Sequence, residues 1–261
     1  YARWIVANGL GEMLGLGTTF VLGGALAPRL ALVNGVFETL GTAVAAVVLG
    51  IALEGVVVGW LQGRVLHDWI GVSTGAWTRA TAAGAGLAWT LGMLPSTFLS
   101  LTAATSSPGD TAPPFEPGPG LTLLLASALG LVTGPILGAL QGRVLRQARP
   151  EVRGWPWANA LAWAFGMPVI FAGMDRVPWN GPASARVAAL YLVCLAAGLL
   201  VGAAHGAVLR RLLTRGGAGT NGHGPAGGAH RGANQRVGRL RQDLADHPRA
   251  RRHDDSSGVT G

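Results

Sequence analysis

Gly55-Val56-Val57-Val58-Gly59-Trp60-Leu61-Gln62-Gly63-Arg64-Val65-Leu66 is the stretch on which the fold turns. Its pattern returns as Gly134, Gly138 and Gly142 followed by Arg143-Val144-Leu145. It returns again as Gly198, Gly202 and Gly206 followed by Ala207-Val208-Leu209-Arg210-Arg211. Glycine at every fourth position strips one helical face of side chains. In lipid, where close backbone approach rather than hydrophobic exclusion draws helices together, such a face is an asset. The chain therefore reads as an all-α membrane protein whose glycine ladders pack against its own helices.

Working outward from the ladders, composition points the same way. Of 261 residues, 49% are hydrophobic and 12% charged, about half the charge of a soluble domain of this size. All 20 basic residues are arginine, as expected of a GC-rich genome. The single cysteine, Cys194, lies inside an apolar run, which excludes an intramolecular disulfide framework. Tyr1 rather than Met opens the chain, and the run from Trp4 to Leu26 is too long and too glycine-punctuated for a signal-peptide core, so it is expected to stay as a spanning helix.

A hydrocarbon core of about 30 Å needs about 20 apolar residues in a helix. Six segments are expected to cross: Trp4–Leu26, Thr39–Gln62, Ala80–Ala104, Leu121–Leu145, Trp157–Met174 and Ser184–Leu209. Pro168 interrupts the fifth, which a membrane helix tolerates when neighbours satisfy the freed carbonyl. Thr105–Gly120, rich in Pro, Gly and Ser and carrying Asp110 and Glu116, reads as a loop. One side of the bilayer collects Arg3, Arg64, Arg79, Arg143, Arg146, Arg149, Arg153, Arg210, Arg211 and Arg215, the other Arg29, Arg176 and Arg186. That asymmetry predicts an inner (plasma) membrane protein with both termini cytoplasmic. Trp4, Trp69, Trp77, Trp155 and Trp157 fall near the expected inner interface and Trp179 near the outer one, the positions of an aromatic belt.

The helices that precede the ladders repeat more loosely. Ala7-Asn8-Gly9-Leu10-Gly11 aligns with Gly84-Ala85-Gly86-Leu87-Ala88 and with Ala158-Asn159-Ala160-Leu161-Ala162. Each unit then becomes a helical hairpin, with boundaries near 1–76, 77–153 and 154–215, and an even number of crossings makes the units parallel. The pairing of a Trp-x-x-Ala-Asn-x-Leu-Gly-like helix (Trp4 to Gly11, Trp155 to Ala162) with a Gly-x-x-x-Gly-x-x-Gln-x-x-Val-Leu-like helix (Gly55 to Leu66, Gly134 to Leu145) resembles a loose group of uncharacterised bacterial polytopic membrane proteins. The third ladder departs with His205 in place of glutamine. The resemblance spans residues 3–211 and implies a polytopic fold without an activity. The Pro-x-Asp/Glu-x-x-Lys/Arg helix ends of mitochondrial-type carriers are missing.

Ionisable groups inside a membrane helix are costly and tend to face the bundle interior. Glu12 stands eight residues past Trp4, about 12 Å deep, and Glu54 ten residues before Arg64, about 15 Å deep at about 1.5 Å per residue. The matched depths allow the two to meet across the first hairpin and to share a proton or a cation. Alternatively each is a staple, bonded to a neighbour such as Thr18, Thr19 or Gln62. Gln62, Gln141 and His205 share one ladder position and form a candidate polar ring, for a solute or as interhelical glue; Asn8 and Asn159 carry the same two readings.

From Gly216 to Gly261 the composition turns to Gly, Arg, His, Asp and Ser, and a disordered basic tail is expected. Val237, Leu240 and Leu244 are spaced for a short basic helix on anionic lipid. His223, His230, His247 and His253 lack the spacing of a metal site, nucleic-acid binding has no supporting fold, and no Gly-x-x-x-x-Gly-Lys is present. No Ser/His/Asp constellation assembles, so neither enzyme activity nor a cofactor or metal is expected. The residues are read as binding or moving a small solute or ion through the bundle. The alternative is a structural or assembly protein that docks partner helices, or a second copy of itself, through the glycine faces.

Overall fold

The computed structural model describes residues 1–33, 35–105 and 117–218, and residues 1–217 form one compact unit. Asp110, Glu116 and the tail from 219 onward, with its basic-helix pattern and histidines, lie outside the described residues. Within them the chain is helical: α1 (Ala2–Leu30), α2 (Gly35–Ile70), α3 (Thr74–Thr105), α4 (Pro119–Ala148), α5 (Trp155–Met174) and α6 (Ala183–Ala218). Five of the six are long and apolar enough to cross a bilayer; α3 is not. Its 32 residues suffice in length, but threonine, serine and glycine dilute its apolar character. Those hydroxyls turn inward on the helix itself. Thr78, Thr81 and Thr90 donate to the carbonyls of Thr74, Trp77 and Gly86 at 2.9, 3.0 and 2.7 Å, which spares them an unmatched donor in an apolar setting.

Sequence features explain the helix ends and irregularities. Gly71, at φ +73°, adopts the left-handed conformation that closes α2, with its N–H on the His67 carbonyl at 2.9 Å. Pro119 and Pro156 occupy first-turn positions, where a missing N–H costs nothing. Pro168 lies within α5 and does not end it. In α2 the α-helix widens to one π turn over Gly50–Gly55 before resuming at Val56. Gly50 lies beneath the Trp89 indole of α3, so close that a Cβ there would overlap the ring. Glu54 rides on that turn.

The ladders seat helix on helix in chain order. A Cβ on Gly55 or Gly59 would stand 2.6 and 2.9 Å from the Cα atoms of Ala82 and Thr78, so the α2 ladder rests on the α3 backbone. In the same way Gly138 faces Pro156 Cα of α5 at 2.6 Å, and Gly202 faces Ile5 Cα of α1 at 3.1 Å. A Cβ on Gly15 of α1 would stand 2.7 Å from Glu54 Cα, one on Gly84 of α3 would stand 3.0 Å from Leu137 Cα, and one on Gly166 of α5 would meet Val201 of α6. The six helices thus close into a ring, α6 returning to α1. Large apolar side chains such as Phe37, Phe98, Leu124, Phe165 and Leu192 point outward, each more than 60% exposed. That surface suits lipid rather than water.

Candidate functional site

Three indoles plug the arginine-rich end of the ring. Trp4, Trp77 and Trp155 are fully buried, with centroids 6.5, 6.1 and 6.0 Å apart and edge-to-face or tilted planes. Each such contact contributes about 0.5–1.5 kcal/mol beyond burial of the ring. Belt tryptophans would be exposed, so the expectation of an interfacial role is corrected for these three. Position near a helix end says nothing of which way a side chain points around the axis. Trp157 and Trp179, 72% and 52% exposed, keep the outward orientation that a belt requires.

The indole N–H groups drop into a layer of buried amides. Trp77 donates to Gln62 Oε1 at 3.0 Å, and Gln62 in turn donates to Asn8 Oδ1 at 2.8 Å. One junction further round, Trp155 donates to Gln141 Oε1 at 3.0 Å, and Gln141 donates to Thr81 Oγ1 at 3.0 Å. A longer contact of 3.5 Å from Gln141 Nε2 to Gln62 Oε1 links the two. Each glutamine thus bridges a small polar residue four positions past one tryptophan to the tryptophan of the next hairpin. At the seam between α6 and α1, His205 holds the corresponding place, with its ring 5.2 Å from that of Trp155. Here the bridge is not made. Trp4 Nε1, Asn159 Oδ1 and both nitrogens of His205 have no hydrogen bond within the described protein.

These contacts revise the alignment of α3. Thr81, not Ala85, is the polar residue four positions past its tryptophan, as Asn8 and Asn159 are past theirs, one helical turn away from the residue aligned with them in the sequence. Glu12 then corresponds to Ala85 and Trp163.

Above the amide layer lie the two carboxylates. Glu12 is buried, between the Gly198 seat of α6 and α2; Glu54 is partly exposed and accepts a 2.6 Å hydrogen bond from Trp89 Nε1. Thr18 and Thr19 are not their partners: Thr18 bonds Tyr191 at 3.0 Å and Thr19 the Gly15 carbonyl at 2.9 Å. Trp89, whose indole packs against the bare surface of Gly50, is the partner that run length and depth alone do not reveal. Glu12, Glu54, Gln62, Gln141 and His205 all line one cavity of about 20 Å³, a volume that suits a single water with polar partners. Glu12 Oε2 and Trp163 Nε1, an acceptor and a donor with no protein partner, border it too.

Glu54 also faces a second and larger space. Towards the opposite end of the ring, a cleft of about 400 Å³ is walled by Leu16 and Phe20 of α1, Trp89 and Met93 of α3, Leu137 of α4, and Trp163 and Met167 of α5, among others. Glu54 and Trp163 border both spaces. A stack results, of apolar cleft, carboxylate pair, amide layer and indole plug. No family model, no curated protein and no solved structure matches the chain, so its chemistry rests on this geometry.

Proposed function

We propose that the chain is a multi-pass inner-membrane protein that binds a small solute or ion inside its bundle and moves it, with Glu12 and Glu54 as the titratable heart of the path. The observation that carries this reading is the shared cavity: two membrane-depth carboxylates border one polar void with Gln62, Gln141 and His205, and Glu54 opens as well onto the cleft. Two carboxylates in one small void relieve their repulsion by sharing a proton or cation. In this reading α3 completes six crossings, the three hairpins are parallel repeats and both termini are cytoplasmic. The motif resemblance adds a bacterial setting. Docking of partner helices on the glycine faces has less support, because the ladders are covered by the chain's own helices.

Proton and monovalent-cation flux into proteoliposomes tests it, with the wild type beside Glu12→Gln and Glu54→Gln. Glutamine keeps shape and hydrogen bonding while removing the titratable group. Flux is expected to fall to that of protein-free vesicles with melting unchanged. Wild-type vesicles no leakier than empty ones, or variants as active as wild type, overturn the reading. For topology, single cysteines placed at Asp175 and Arg149 in a Cys194→Ala background should label from the outer and inner face respectively; the reverse pattern inverts the orientation.

A further inference from the structure

The 400 Å³ cleft falls within the usual range for a small-molecule site, and its walls restrict what fits. Among the described lining residues Glu54 is the single ionisable group. Around it stand the aromatic faces of Phe20, Trp89 and Trp163 and the thioethers of Met93 and Met167. A metal cation needs several oxygen ligands. Here the lining offers Glu54 and the Thr133 hydroxyl, and that hydroxyl is already spent on the Leu129 carbonyl at 2.8 Å. A neutral apolar occupant would leave the carboxylate with the uncharged Trp89 N–H and no cation against it, and an anion would oppose it. A cation that carries its own apolar shell meets all three walls at once, through charge with Glu54, cation–π contact with the indoles, and burial of the rest.

We infer that the cleft binds a lipophilic organic monocation, its charge set against Glu54 and its apolar groups among Phe20, Trp89, Trp163 and the two methionines. This rests on the reading above that the Glu54 region is a solute site, and it names the chemical class of that solute. The bilayer face of the protein gives such a molecule a medium from which to arrive, since lipophilic cations partition into membranes.

Tetraphenylphosphonium and tetraphenylborate share one shape and carry opposite charges, and so separate charge recognition from filling of an apolar hole. Equilibrium binding to the full chain in detergent, corrected for protein-free micelles, should show saturable binding of about one phosphonium per chain, with the borate weaker by about tenfold or more. Glu54→Gln retains an oxygen for the Trp89 N–H and should lower phosphonium affinity by about tenfold or more while leaving borate binding unchanged or improved. Gly92 lines the cleft and has only Leu129 near its missing Cβ, at 4.0 Å, so Gly92→Leu should fill the space without disturbing the fold and abolish phosphonium binding. Equal binding of the two ions, or phosphonium binding that survives Glu54→Gln, overturns the inference. Absence of phosphonium binding while proton flux still depends on Glu12 and Glu54 overturns the ligand class and leaves the solute path standing. Loss of both removes the path as well.

Discussion

At the first two junctions of the ring a glutamine ties one hairpin to the next, whereas at the third the His205 ring nitrogens, Trp4 Nε1 and Asn159 Oδ1 have no hydrogen bond within the described protein. The glycine seats do not differ in this way. Gly59, Gly138 and Gly202 all rest on backbone within 3.1 Å of a missing Cβ. Backbone proximity therefore holds the ring shut at all three places, and the amide layer is an addition present at two. The third junction is also the one that no interhelical loop spans, because it joins the chain's first helix to its last. An acceptor, a donor and a ring able to serve as either face one another there, which is the composition of a closable contact.

The largest test of that comparison removes the seats. Gly59→Leu, Gly138→Leu and Gly202→Leu each drive a side chain into backbone, and each should cost at least the 1–3 kcal/mol of ordinary overpacking, read as a drop in detergent melting temperature. If all three junctions depend on proximity, the three losses are similar; a much smaller loss at Gly202 would show that the seam is already loose.

Next come the amides. Gln62→Leu strands Asn8 Oδ1 and the Trp77 N–H, and Gln141→Leu strands the Trp155 N–H, while Thr81 keeps its bond to the Trp77 carbonyl; each orphan costs about 1–3 kcal/mol. His205→Leu strands nothing that is now bonded and should cost less than either. Denaturant titration in mild detergent gives the ranking, and an equal loss at all three positions would dissolve the distinction between the junctions.

A gain of function in packing sharpens the contrast. His205→Gln supplies the side chain used at the other junctions, able to accept from Trp4 Nε1 and donate to Asn159 Oδ1. It should stabilise the bundle by about 1 kcal/mol, and slow any flux that requires the seam to open. A destabilised variant would mean that the third junction differs in backbone spacing and not merely in side chain.

The smallest effect is expected outside the ring. Arg3 and Asp68, 65% and 47% exposed and 2.5 Å apart, clip the start of α1 to the end of α2. Arg3→Ala should change stability by less than about 1 kcal/mol, and less still at high salt. A larger loss would place the stability of the bundle in its surface rather than its seats.

Much of the architecture is legible without coordinates. An all-helical chain of six long segments follows from run length and the glycine period, and the nearness of Glu12 and Glu54 follows from counting residues along two antiparallel helices. Other features resist such reading for identifiable reasons. Trp4, Trp77 and Trp155 carry the same residue type at the same depth as a belt, and only the rotation of each helix decides between lipid and core. Aligning α3 on its run of small residues leaves a one-turn ambiguity, because glycine and alanine recur every few positions; the tryptophan four residues before Thr81 is the marker that resolves it. The π turn has no local signature beyond Gly50 and Gly55, and the indole that bonds its Glu54 lies 35 residues away. The apolar shortfall of α3 arises from hydroxyls that pair with the helix itself, a contact that hydropathy cannot weigh.

The indole plug makes this packing of the helix ends visible without a label. Three tryptophans in mutual contact couple their electronic transitions, and so give a signed near-ultraviolet circular dichroism that isolated, lipid-facing indoles such as Trp157 do not. Excitation hops among the three before it is emitted, which depolarises the fluorescence. Any movement that parts the arginine-rich ends of the helices must separate these rings, and the dichroic band and the polarisation would then change together, in real time and in the unmodified chain.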